Sequence, residues 1–263
     1  MAAKDTPFWL FNAAFLAFLT PTLYCLLATY AGWSGHPWDA KVVPFPASVS
    51  PMCCLLFPLL MSIFYFLLRL IFAQLCWKQN EKHLAQHKDD MLRMFYLNVV
   101  LATLGRVQSR SFLNGSTDIL RVDLSFVCLL VFYTCFFSLL FEMVRGVNLT
   151  ISKDLLQNMP GLWIFAVSIV VLVGTLHAHV RYALNQSGDF GWQYFCWVLT
   201  TLLGHVAVYL WPSSVASSRQ KSAAKLHIHH WYWSFFASHF AIFDSSLSCT
   251  AQALFLGVYI HGA

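Results

Sequence analysis

Five of the chain's eleven histidines fall after residue 226: His227, His229, His230, His239 and His261. Three of them crowd into Leu226-His227-Ile228-His229-His230-Trp231, and the residues that follow are almost wholly apolar. Ionisable side chains are expensive among apolar surroundings and tend to mark functional sites there. Neutral imidazole ligates transition metals and haem iron. The chemistry on offer is therefore metal or haem ligation, with proton handling as a second use of the same groups. A structural role competes with both: histidines beside Trp231, Tyr232 and Trp233 can anchor at an interface or hydrogen-bond neighbouring helices.

Geometry limits the first reading. In an ideal helix His227 and His230 share a face, but His229 lies about 200° from His227 and His239 about 180° from His230. An extended segment would instead put His227 and His229 on one side. Either way, one helix cannot aim all of them at one ion. A second helix has to contribute, and His205 is the leading candidate. The expected ligand set is His205, His227, His229, His230 and His239, holding a transition metal or haem. No residue is assigned a catalytic role.

The elements that must position these groups follow from composition. The chain has 263 residues, 59% hydrophobic and only 10% charged, with a mean hydropathy of +0.62. Soluble domains run near 25% charged. The expected fold is an all-α polytopic helical membrane bundle, a single integral membrane domain over residues 1–263. Apolar runs long enough to cross a bilayer fall at about 7–33, 51–77, 119–144, 160–182 and 190–211. Residues 91–104 are apolar over a shorter stretch. Residues 231–260 run apolar with Asp244-Ser245-Ser246 in the middle, which suits a helical hairpin, a re-entrant pair or one broken span. About six to seven membrane segments result. An excess of Lys and Arg on one side, if 91–104 crosses, puts the N-terminus on the cytosol or matrix side.

The net charge of +5 does not indicate nucleic acid, because no basic run or recognition motif accompanies it. The expected partners are the lipid bilayer and other membrane subunits. The eight cysteines include no C-x-x-C pair, so they read as small hydrophobes. Gly174 with Ala178, and Ala253 with Gly257, form small-xxx-small pairs suited to close helix contact. Asp244 reads as a helix cap.

The stretch His227-Ile228-His229-His230-Trp231, then Phe243-Asp244, then Gly257-Val258-Tyr259-Ile260-His261-Gly262, resembles a C-terminal pattern of uncharacterised eukaryotic multi-pass membrane proteins. That resemblance covers some 40 residues and implies no activity. His83-Leu84-Ala85-Gln86-His87 resembles the first histidine box of membrane fatty-acid desaturases and hydroxylases, but the middle box is missing. Three function classes stand: a multi-span protein with a histidine-based metal or haem site near one membrane face, a non-catalytic membrane subunit of a larger complex (respiratory or transport), and a metal-dependent lipid-modifying enzyme.

Overall fold

The computed structural model describes residues 8–33, 38–42, 51–74, 88, 91–92, 95, 98–99, 112–114, 120–122, 124–143, 159–210 and 230–262. Among them run seven helices: α1 (Phe8–Ala31), α2 (Pro51–Gln74), α3 (Leu124–Met143), α4 (Met159–Leu184), α5 (Phe190–Leu210), α6 (His230–Ser238) and α7 (Ser246–Gly262). Residues 88, 91–92, 95 and 98–99 are also helical. Four short strands complete the picture: β1 (Lys41–Val42), β2 (Phe112–Asn114), β3 (Leu120–Val122) and β4 (Phe243–Asp244). β2 pairs with β3, and β1 with β4, both antiparallel.

Among the described residues, two helices are long and apolar enough to cross a membrane, Trp9–Ala31 and Leu162–Leu184. Leu55–Ile71 and Leu124–Leu140 are shorter apolar stretches. A helix that is apolar all round belongs either in a core or in lipid. α7 takes the first course. Leu247, Ala251, Ala253, Leu256, Tyr259 and Ile260 are all buried, and the helix packs against α3, α6, α1, α2 and α4. α1 and α4 bury one face and expose Trp9, Tyr24, Leu27, Val170 and Val173 on the other.

The apolar run at 231–260 resolves as a helical hairpin. The break falls at 239–245. Gln252 Nε2 donates to the Ser238 carbonyl at 3.2 Å, and the rings of Phe235 and Tyr259 lie 5.5 Å apart. Moving back along α6 thus means moving forward along α7, so the two are antiparallel. The cap of α7 is Ser245, one residue beyond the expected Asp244: its Oγ accepts the Ser248 N–H at 3.1 Å. Asp244 is exposed on β4, directly opposite Lys41 of β1.

Small residues set the closest contacts. A Cβ at Gly257 would lie 2.8 Å from Tyr133 Cβ and 2.9 Å from Thr134 N, so α7 and α3 touch backbone to backbone there. Gly174 sits against Leu26 of α1. A buried bond between Thr22 Oγ1 and the Tyr133 hydroxyl, 2.7 Å, ties α1 to α3. Pro21 removes one donor from α1; in the turn before it Thr20 Oγ1 donates to the Leu16 carbonyl.

One end of the bundle gathers the β1–β4 pair, the end of α1, and the turn from α4 to α5. Asn185 Nδ2 donates to the Trp38 carbonyl and Gln186 Nε2 to the Ala40 carbonyl. Arg181 stacks over the Trp38 ring, 4.0 Å from its centroid. Phe243 packs among Tyr182, Phe190 and Tyr194. This is called the strand end below.

Candidate functional site

The most completely bonded histidine is His179, near the strand end of α4. Its ring is buried, and its Nδ1 lies 2.7 Å from the Thr175 carbonyl. A carbonyl only accepts, so Nδ1 carries the proton and Nε2 the lone pair. Ser248 Oγ, 3.0 Å away on α7, then donates to Nε2. The same oxygen accepts the Phe243 N–H at 3.1 Å. One histidine thereby ties α4 to the start of α7 and to the break between α6 and α7. Both ring nitrogens are thus engaged by the protein. A serine hydroxyl bonded to Nε2 is the hydrogen-bond arrangement of a nucleophile and its base. Ser248 is completely buried and does not reach the neighbouring cavity, so the pair works as a clamp.

That cavity has a volume of about 490 Å³ and lies between α1, α4, α6 and α7. Small-molecule sites run from about 300 to 1,000 Å³ and are lined mostly by apolar side chains. Here the polar contributions are Ser168, Thr175, His179, Ser234 and the Trp233 indole, and none of the described lining residues is a Lys, Arg, Asp or Glu. Thr175 is buried, and among the described residues its Oγ1 has no hydrogen-bond partner.

The histidines expected as ligands distribute as follows. His227 and His229 lie outside the described residues, as do His83 and His87. His205 and His230 lie on α5 and α6, with only their backbones described. α5 starts beside β4, where Tyr194 donates to the Phe240 carbonyl at 2.9 Å, so the half carrying His205 runs away from the strand end. α6 reaches the strand end at its last residue, which puts His230 at the far end. α7 carries His261 to the same far end. His239 stands at the opposite end of α6 from His230, buried, with Nδ1 bonded to the Phe235 carbonyl at 3.0 Å. His177, exposed on α4, stacks on and bonds to Tyr30. Among the described residues no group of three His, Cys, Asp or Glu side chains is placed to hold a metal. Cys25, Cys128, Cys135, Cys196 and Cys249 are not joined in disulfides.

His261 has a specific orientation. Ser138 Oγ donates to the Thr134 carbonyl at 2.8 Å and lies 2.7 Å from His261 Nδ1. With its proton engaged, Ser138 accepts from Nδ1–H, leaving Nε2 as the lone-pair nitrogen.

Sequence reasoning did not anticipate the pairing of His179 with Ser248, or the cavity beside it. The partners are 69 residues apart, and no motif joins them. The one local signal was Ser245-x-x-Ser248, the spacing of a cap and its third helical residue. No family model, no curated protein and no solved structure matches this chain.

Proposed function

We propose that this chain is an integral membrane protein whose helices cross the bilayer around an apolar binding cavity. One observation carries the reading. Only 33% of the span-length window in α1, and 28% of that in α4, is buried inside the protein. A soluble core helix would bury most of such a window. Apolar faces of this length, left outside the protein, are matched by lipid.

Helix directions extend the reading. α1 and α4 run toward the strand end, with Tyr30 donating to the Gly174 carbonyl. α3 and α7 run away from it together, through Tyr133 beside Gly257 and Ser138 beside His261. The start of α1 and the end of α7 therefore share one membrane face. Alkaline carbonate extraction of membranes from expressing cells tests the reading. The protein stays in the pellet until detergent is added; release into the supernatant by carbonate alone contradicts it.

A second reading is favoured by the far end, where α5, α6 and α7 carry His205, His230 and His261. At His261, Nδ1–H is held by the Ser138 oxygen, the kind of bond that orients a ligating imidazole. With His227 and His229, this is the histidine-based site of a redox or metal-dependent protein, acting alone or as a subunit, and His239, at the other end of α6, stands apart from it. Protein purified without chelator then carries zinc, iron or haem, and His230→Ala lowers the content. Protein that is folded yet binds neither metal nor haem removes this reading.

A further inference from the structure

The cavity wall says what kind of molecule it takes. Its volume, about 490 Å³, suits a small ligand or a lipid chain. Its lining is chiefly Phe, Leu, Val and Ala, and among the described residues no Lys, Arg, Asp or Glu contributes to it. A carboxylate or phosphate placed there would be desolvated without a counter-charge, which is strongly unfavourable. The His179 imidazole on the wall does not serve as one, since both its nitrogens are already engaged by the protein.

Thr175 adds a second, independent observation. It lines the same cavity, is 3% exposed, and its hydroxyl has no partner among the described residues. A helical threonine commonly bonds a carbonyl one turn back, as Thr134 does with Leu130 at 2.7 Å and Thr20 with Leu16. Buried hydroxyls are seldom left unbonded, and each such case needs a reason. The orphaned oxygen lies one turn before His179, whose Nδ1–H occupies the Thr175 carbonyl. The Thr175 hydroxyl is therefore a buried polar group left to meet a guest, on a wall that also carries the Ser168 and Ser234 hydroxyls.

We propose that the cavity between α1, α4, α6 and α7 binds an uncharged long-chain lipid, an alcohol or ester, whose one oxygen pairs with the Thr175 hydroxyl. The hydrocarbon lies against the Phe and Leu wall. Free fatty acids and phospholipid headgroups are disfavoured, because no cation stands among the described lining residues. This rests on the membrane reading above, since such lipids reach the protein from the bilayer.

The test is competition for a photoreactive long-chain alcohol on the full chain in detergent micelles. Competitors are the unlabelled alcohol, the alkane of equal length and the ionised fatty acid. Wild type is expected to prefer the alcohol to both others. Thr175→Val, nearly isosteric, is expected to weaken the alcohol by about three- to tenfold and leave the alkane unchanged. It should also raise the melting temperature of the lipid-free protein, because an unpaired buried hydroxyl is gone. Ala237→Trp, on the opposite wall, should abolish labelling; Leu172→Phe is the milder block if the first variant does not fold. Equal binding of alcohol, alkane and acid by wild type overturns the proposal. So does Thr175→Val with unchanged preference, or labelling that survives both blocking variants. Carbonate extraction is blind to Thr175, so a failure of the membrane reading shows separately.

Discussion

At the residue scale, the account turns on what each histidine is bonded to. His179 is the clearest, because the Thr175 carbonyl decides its tautomer and Ser248 completes its shell. Ser248→Ala would strip the partner from His179 Nε2 and from the Phe243 N–H together. Each buried polar group left unpaired costs about 1–3 kcal/mol. The variant should therefore lose about 2–4 kcal/mol in a detergent-solubilised melt, at the low end if water reaches one of the two groups. His179→Phe alone should cost a comparable amount, and the double variant should cost less than the sum, because both act on one network. Additive losses would show that the pair is not coupled. None of this was legible in the sequence. His177 and His179 stand two residues apart in one apolar run, with nothing around them to separate an exposed ring on Tyr30 from a buried one on Ser248.

At the scale of elements, the sequence was far more informative. Apolar runs at 51–77, 160–182 and 190–211 coincide with α2, α4 and α5 to within a few residues at each end. A run of some 20 apolar residues with few charges has little choice but helix, since its backbone groups must bond internally wherever water is absent. The run at 231–260 was ambiguous for a physical reason. Asp244-Ser245-Ser246 announces a break, but hydropathy does not say whether the chain turns back or continues. The β1–β4 pair and the Ser245 cap decide it. The cap also moved by one residue, because Asp244 is committed to the strand opposite Lys41 and Ser245 is free to turn inward. The small-xxx-small pairs were read correctly as contact points: Gly257 meets the backbone of α3 and Gly174 meets Leu26.

For the whole molecule, the central claim is a bundle that crosses lipid with its strand end on one face and the His261 end on the other. α7 spans 17 residues, about 25 Å at 1.5 Å per residue, close to the thickness of a hydrocarbon core. The turn from α4 to α5 is exposed at Ser187, Gly188 and Asp189, and Gly188 has φ of +69°, so an insertion there disturbs little. The most direct measurement is sided accessibility of two epitopes, one inserted beside Gly188 and one appended after α7, in selectively permeabilised cells. The account predicts that the two are reached from opposite sides of the membrane. Both reached from the same side, or both reached without permeabilisation, would contradict it.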